Sequence, residues 1–197
     1  MKFIIINRKR LGITVILLGL MIILLGLGKS FDVKLKDASL IYNNINSLVK
    51  YEGLDNSFSY MLPEEWTAAK ENMDSKEIAY HNGFVSPDKK IKGFVQVWNY
   101  EGDLNKFLEK SKESSLKPKA NKYKEYQIST IDFNKDKAYL LKYTVDAGDK
   151  NYYKGNEYFI KGPGKFYRFS FFVKASDYKE TMGTMFENIV KTLSVTQ

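Results

Sequence analysis

Four acidic residues could supply the pair of carboxylates that a hydrolase needs. Glu64 and Glu65 directly follow a proline, and Glu101 and Asp103 lie further along the chain. Acid–base hydrolysis requires two carboxylates that face each other across a cleft. Glu64 and Glu65 are neighbours and are expected to be solvated, and nothing in the sequence brings Glu101 or Asp103 close to them. A carboxylate-dependent envelope hydrolase is therefore kept as an alternative, and no catalytic residue is assigned.

The single histidine, His81, limits the other kinds of catalysis. A Ser–His–Asp triad would have to use it, but no G-x-S-x-G motif accompanies it. His81 lies in YHNGF, a pattern typical of a turn, and we expect its side chain at the surface. Cysteine is absent, which excludes disulfides, thiol catalysis and zinc–thiolate sites. No metal site and no cofactor are assigned, and a calcium site made of carboxylates alone stays open.

Two short motifs begin like ligand-binding loops and then depart from them. DFNKDK (132–137) starts like a calcium loop, but Lys137 replaces the glycine and Tyr143 stands where the bidentate glutamate is needed. KGPGK (161–165) has glycines beside lysine, but a phosphate loop leads into a helix and this one leads into a strand pattern. Both segments are predicted to be hairpin turns.

A cluster of methionine and phenylalanine side chains and several basic–aromatic stretches each allow a structural and a functional interpretation. Met182, Met185 and Phe186 could line a pocket for an apolar ligand, but this spacing is typical of core packing in a helix. A carrier of an apolar ligand is kept as a second alternative. Basic and aromatic residues alternate in YKEY, NYYK and KFYR, as they do in proteins that bind single-stranded nucleic acid. A half-buried strand produces the same residue pattern. No nucleic-acid partner is predicted.

The spacing of apolar residues predicts the elements that position these side chains. Helical spacing predicts two helices, at 103–115 and at 176–193, the second capped by Asp177. Short links join the later strands, which indicates an antiparallel sheet with helices packed on it, an α+β sandwich. A period of two predicts strands at 58–62, 66–70, 76–80, 92–100, 123–133, 137–145, 153–160 and 165–174.

The uncharged run LGITVILLGLMIILLGLG, residues 11–28, is predicted to cross a membrane. As a helix it would span roughly 27 Å, close to the thickness of the hydrocarbon core. RKR at 8–10 precedes it, which places the N-terminus in the cytoplasm and the C-terminal domain outside. A cleaved signal peptide is the alternative, but its apolar region is typically shorter, about 7–15 residues, and Gly26-Leu27-Gly28 is a poor cleavage site. An uncleaved anchor is favoured.

The net charge of +8 does not by itself indicate a nucleic-acid binder. Four of the 31 basic residues, Lys2, Arg8, Lys9 and Arg10, lie in the first ten residues, which contain no acid, so half of the excess lies in the N-terminal tail. The remaining lysine excess is typical of a solvated surface, with weak attraction to anionic lipid or wall polymer as the functional alternative. The predicted organisation is a cytoplasmic basic tail (1–10), a transmembrane signal anchor (11–28), a stalk or linker (29–57) and an extracytoplasmic α+β domain (58–197).

Residues 58–66, FSYMLPEEW, resemble the opening of the PsbP superfamily: a strand of alternating Phe and Tyr, a proline corner and a tryptophan. That family includes the photosystem oxygen-evolving subunit and DcrB-like bacterial envelope proteins. The order of a middle helix, a four-strand meander and a closing helix is also similar, so the likeness covers about 58–195. It implies a PsbP-like sandwich with Trp66 in its core, and a binding or assembly role rather than an enzyme. This chain departs from the family in its predicted anchor and in lacking a lipidation cysteine, and no functional residue is carried over.

Together these features predict a single-pass protein of a bacterial cell membrane. Its outer domain would be a non-enzymatic binding or assembly module of the cell envelope. Membrane lipid would contact residues 11–28, and an envelope protein, polymer or small ligand would be the partner of the outer domain. The sequence leaves the ligand, the pathway and the oligomeric state open.

Overall fold

The computed structural model describes residues 45, 47–116, 123–134, 136–148 and 151–196. The predicted tail, the predicted membrane segment at 11–28 and most of the predicted stalk lie outside these residues. Within the described ranges, no helix is both long enough and apolar enough to cross a membrane.

Ten strands and two helices form the described part of the chain. In chain order they are β1 (Leu48–Gly53), β2 (Phe58–Pro63), β3 (Thr67–Lys70), β4 (Ile78–Val85), β5 (Ile91–Asn99), α1 (Leu104–Ser115), β6 (Tyr123–Phe133), β7 (Asp136–Asp146), β8 (Tyr152–Gly162), β9 (Lys165–Lys174), α2 (Glu180–Val190) and β10 (Ser194–Val195).

The strands form a seven-stranded antiparallel sheet in the order β3-β4-β5-β9-β8-β7-β6, and a three-stranded sheet in the order β1-β2-β10. The four-strand meander predicted at 123–174 is confirmed as β6 to β9. Chain order alone does not put β5 beside β9; this pairing closes the meander against the first half of the sheet. Strands β3 to β5 and the meander β6 to β9 therefore form one continuous sheet.

The large sheet is covered on both faces because its strands are apolar on both sides. On one face Phe169 and Phe171 of β9 pack under α2 and β2, with the Phe171 and Phe186 rings stacked at 4.3 Å. We call this layer the main core. On the other face Phe166 packs with Leu104 and Leu108 of α1, and we call this layer the second core. The α+β sandwich predicted from the sequence is confirmed, and its two helices lie on opposite faces of the large sheet.

FSYMLPEEW forms a strand and a corner, as predicted. Phe58, Tyr60 and Leu62 alternate along β2 and are fully buried in the main core. The Trp66 amide donates to the Pro63 carbonyl at 3.0 Å, which closes the turn after the strand. The Trp66 side chain then packs against Phe84, with the ring centroids 5.2 Å apart. This segment therefore serves packing, with the Trp66 ring buried in the main core.

The folded domain begins earlier than the boundary expected at residue 57. The end of the predicted stalk forms β1, which pairs with the whole of β2, and Ile45 before it is buried in the main core. Tyr51 stacks on Tyr60 across the pair, with centroids 5.7 Å apart. This strand pairing satisfies the backbone hydrogen-bonding groups along one edge of β2.

The two helices differ in how they begin. Asp103 caps α1 as an acceptor, taking backbone N–H bonds from Asn105 at 2.9 Å and from Lys106 at 3.1 Å. The cap predicted for α2 at Asp177 is wrong: this helix begins at Glu180, after Lys179. The amides of Asp177 and Tyr178 bond the Lys174 carbonyl instead, so Asp177 belongs to the turn that ends β9.

Candidate functional site

Glu157 is the one charged residue that is buried within the described part of the chain, at 3% exposure. It lies in the middle of β8, on the face of the sheet that α1 covers. The register places it opposite Leu141 of β7 and opposite Ser170 of β9. Burying a carboxylate costs free energy unless it is paired with a cation and hydrogen-bonded. The groups around Glu157 therefore make this face of the sheet the candidate functional site.

Three neighbours hold the Glu157 carboxylate. Arg168 donates from Nε at 2.6 Å and from Nη2 at 2.5 Å to the same oxygen, Oε2. Ser170 Oγ also donates to Oε2, at 3.2 Å, and the Tyr143 hydroxyl donates to Oε1 at 2.6 Å. Both carboxylate oxygens are therefore occupied and the charge is neutralised by a guanidinium.

A cavity of about 230 Å³ opens above this ion pair, between α1 and strands β5 to β9. Rings form most of its wall, and the ion pair and two serines of α1 are its polar parts. We call it the aromatic cavity. Its lining residues are Trp98, Phe107, Ser111, Ser115, Tyr123, Tyr126, Leu141, Tyr143, Glu157, Phe159, Phe166 and Arg168.

The rings of the aromatic cavity are locked against one another. Tyr126 stacks on Tyr143 at 5.9 Å, and Tyr123 meets the same ring edge-on at 5.1 Å. At the other end Trp98 stacks on Phe166 at 5.7 Å. Aromatic pairs in these geometries add about 0.5–1.5 kcal/mol each beyond their buried area. The wall is consequently rigid, which lowers the entropy cost of binding a ligand.

Burial keeps the tyrosines of this site protonated. Burial raises the pKa of Tyr143 far above its ordinary value, and the negative charge of Glu157 raises it further. Burial also raises the pKa of Tyr126, against the hydrogen bonds from Ser111 and Ser115 that lower it. Both phenols are thus hydrogen-bond donors throughout the neutral range and are not nucleophiles.

Arg168 is held by rings as well as by Glu157. Its guanidinium carbon lies 5.1 Å from the Phe94 ring centroid and 5.5 Å from that of Phe159. Such cation–π contacts are worth about 0.5–2 kcal/mol each, depending on exposure. The side chain is one-quarter exposed, so the cation can still meet a ligand from the solvent side.

A hydrogen-bonded chain of side chains extends the site toward β4. The Trp98 Nε1–H can only donate, and it donates to Gln96 Oε1 at 2.9 Å. The Gln96 amide nitrogen must then donate to His81 Nδ1, 2.9 Å away, which places the histidine proton on Nε2. His81 Nε2 lies 3.8 Å from the Glu71 carboxylate. The predicted turn at His81 is wrong, because its backbone is in β4 and its side chain is only 13% exposed.

The acids considered for hydrolysis have other places in the fold. Glu64 and Glu65 lie in the turn between β2 and β3, where Glu64 accepts a hydrogen bond from the Ser47 hydroxyl. Asp103 is engaged as the cap of α1, and Glu101 is exposed just before it. None of the four lines the aromatic cavity.

The remaining motifs are turns or core. Asp132 pairs with Lys137 across the β6–β7 hairpin, and KGPGK forms the β8–β9 hairpin with Gly164 at φ 62°. That positive φ is the conformation that glycine adopts without strain. Met185 and Phe186 are fully buried in the main core, with Met182 nearly so. Among the described residues, no three His, Cys, Asp or Glu side chains are grouped to hold a metal ion.

The residues of this site were not singled out by motif, although one signal pointed to part of it. Strand alternation places Arg168 and Ser170 on one face of β9. The GPG hairpin fixes Gly162 opposite Lys165, and counting back from it pairs Glu157 with Ser170. The sequence could thus have predicted that Glu157 and Arg168 lie on the same face of the sheet. That Glu157 is buried depends on α1, which no local pattern places there.

Solved structures with a similar fold support the architecture. The cyanobacterial PsbP protein CyanoP from Synechocystis sp. superposes with a TM-score of 0.57 at 15% sequence identity, over 77% of this chain and 94% of that chain. A protein from Bacteroides thetaiotaomicron superposes with a TM-score of 0.51 at 14% identity, over 75% of this chain and 48% of that chain. No protein-family model and no curated protein matches the sequence. At sequence identities this low, the superpositions show the fold alone. The superposition on CyanoP confirms the PsbP-like fold predicted from residues 58–66.

Proposed function

Starting from this PsbP-like fold, we propose that the chain is a non-enzymatic binding module of a bacterial cell envelope, anchored through residues 11–28. The aromatic cavity would be its binding site for an envelope protein, polymer or small ligand. A rigid wall of rings with a few polar groups at its floor is typical of binding sites.

One observation carries the non-enzymatic part of this proposal. Glu157, the acid at the floor of the cavity, already accepts hydrogen bonds from Arg168, Tyr143 and Ser170. A general base must lie within reach of the proton that it removes, and Glu157 is only 3% exposed and enclosed by these three donors. Here the carboxylate instead orients the Arg168 guanidinium, which is the partly exposed member of the pair. The site is arranged to recognise a group, not to transform it.

The location is tested with the full chain carrying alkaline phosphatase after Gln197. Because RKR precedes the apolar run, the positive-inside rule places the fused enzyme outside, where it is active. We expect phosphatase activity in intact cells and a product of full, uncleaved size in the membrane fraction. A fusion that is inactive, while the matched green fluorescent protein fusion fluoresces, would overturn the assigned compartment.

The binding role is tested by filling the cavity from α1. Ser111 lines the cavity and is half-buried, whereas Lys110 beside it is exposed and lies outside it. In Ser111→Trp the new ring occupies space that a ligand needs, and Lys110→Trp is the matched control. We expect cross-linking in intact cells, read by mass spectrometry, to recover the same neighbours with wild type and Lys110→Trp and to lose them with Ser111→Trp.

Two results would contradict this role. One is that Ser111→Trp, shown to be folded by its unfolding temperature, keeps every cross-linked neighbour. The other is that the purified full-length protein degrades an envelope polymer and that one carboxylate substitution abolishes the degradation.

A further inference from the structure

A second cavity lies on the opposite face of the sheet, where the first residues of α2 approach β6 to β8. Its volume is about 250 Å³. In contrast to the aromatic cavity, most of its side chains are charged or polar, and we call it the polar cavity. Its lining residues are Glu125, Gln127, Lys142, Tyr143, Thr144, Lys154, Gly155, Asn156, Tyr178 and Glu180.

Asn156 in this cavity is a buried polar group with an unused acceptor. It is 2% exposed, and its side chain hydrogen-bonds the Tyr178 hydroxyl, which lowers the pKa of Tyr178 against the rise caused by burial. Its carboxamide oxygen has no hydrogen-bond partner among the residues that the structure describes. Nearly all buried polar groups are paired in native proteins, and an unpaired one calls for a specific explanation.

Two lysines flank Asn156 on the same face of the sheet. Lys142 is directly opposite it on β7, and Lys154 lies two residues before it on β8. Within the described ranges, neither lysine forms an ion pair, although the Lys154 ammonium lies 4.9 Å from the Tyr178 ring centroid. This side of the polar cavity therefore presents positive charge.

Two acids line the same cavity. Glu180 is in the first turn of α2, beside Tyr178, whose pKa it raises. Glu125 lies on β6 and accepts a hydrogen bond from Thr144 at 2.9 Å. The cavity thus combines two lysines, two acids and an unpaired acceptor, with Glu125 on the strand next to Lys142 and Glu180 beside Tyr178.

We infer that the polar cavity binds a free amino acid or a similarly small zwitterion. The ligand carboxylate would lie between Lys142 and Lys154, and its ammonium group would donate to the Asn156 carboxamide oxygen on the side of Glu180. Each charge meets its opposite, and the unpaired acceptor gains a donor. This site lies on the opposite face of the sheet from the aromatic cavity, with Tyr143 as the one residue common to both linings, so its failure and the failure of the proposed function are distinguishable.

The test is calorimetric titration of the full-length protein, in detergent, with each of the twenty L-amino acids. We expect saturable binding of at least one. Its carboxamide derivative, which lacks the carboxylate, should bind at least about tenfold more weakly. Its N-trimethyl derivative, which cannot donate a hydrogen bond, should show the same loss. If no amino acid binds at millimolar concentration, or if both derivatives bind as well as the parent, the inference is wrong.

Three variants assign the binding to these side chains. Lys142→Gln removes an exposed charge at the cavity, and Lys161→Gln removes an equally exposed one on β8 outside it. Only the first should weaken binding, by about tenfold. Asn156→Leu keeps the volume and removes both the unpaired acceptor and the hydrogen bond to the Tyr178 hydroxyl. Binding should be lost while the unfolding temperature changes little, because the two stability effects oppose each other. Equal effects of the two lysine variants, or full binding by Asn156→Leu, would overturn the assignment.

Discussion

Arg168→Met is expected to lower the free energy of unfolding by about 3 kcal/mol, the lower end of the range for breaking a buried ion pair. The change leaves the Glu157 carboxylate buried with only its two hydroxyl donors, Tyr143 and Ser170. The Glu157 side chain is only 4% exposed, so solvent compensates little for the lost guanidinium. The lower end applies because Arg168 itself is one-quarter exposed, which screens part of its interaction.

Urea denaturation of the detergent-solubilised chain, followed by tryptophan fluorescence, measures this loss. Lys161→Met is the matched control, because it removes an exposed cation from the neighbouring strand and should change stability by less than about 0.5 kcal/mol. The double variant Glu157→Leu/Arg168→Met should recover part of the loss, since no buried charge is left unpaired, although the Tyr143 and Ser170 hydroxyls lose their acceptor. A cost below about 1 kcal/mol for Arg168→Met would show that Glu157 does not depend on Arg168.

Gly93→Ala is the second large effect, expected to cost about 3 kcal/mol or to prevent folding. A Cβ at Gly93 would lie 2.0 Å from the Ser170 carbonyl oxygen and 2.6 Å from the Phe84 ring. The ring can rotate, but the carbonyl belongs to the backbone of β9, the strand that pairs with β5 at this point. Relief would require the two halves of the large sheet to separate locally.

Gly83 on the neighbouring strand is the matched control. Gly83 lies on β4 and pairs with Phe94 of β5, the residue after Gly93. A Cβ at Gly83 would meet no atom closer than 3.9 Å. Gly83→Ala should therefore be neutral or stabilising by up to about 0.5–1 kcal/mol, because alanine loses less conformational entropy on folding than glycine. Thermal unfolding of both variants measures the contrast. Equal stability of the two would contradict the close approach of β5 and β9.

The site and the fold depend on each other through α1. The helix is amphipathic, with Leu104 and Leu108 buried against the sheet, and it turns the outer face of β7 to β9 into a second core. Without this cover the Glu157–Arg168 pair would be a surface ion pair, worth less than about 1 kcal/mol. With it, the pair is buried at the floor of a cavity, where it orients a cation toward the opening.

Several parts of the molecule could be predicted from the sequence because their signals are local. Strict alternation predicts the strand at 165–174, and its bounds are those of β9. The helical spacing at 103–115 predicts α1 within one residue. Alternation in FSYMLPEEW places three rings or apolar side chains on the buried face of β2, and the proline marks its end. In each case, the residues that make the pattern are also the residues that pack.

The tertiary structure decided the rest, because periodicity shows which face of a strand is buried and not which strand lies beside it. β1 joins β2 through a hairpin and α2 begins after a local turn at Lys174, but the pairing of β5 with β9 depends on a partner distant in the chain. The same holds for the two cavities. Glu157 and Asn156 are adjacent in the chain and face opposite sides of the sheet. Arg168 of β9 neutralises Glu157, whereas Asn156 is left with an unused acceptor, and alternation along β8 alone shows neither outcome.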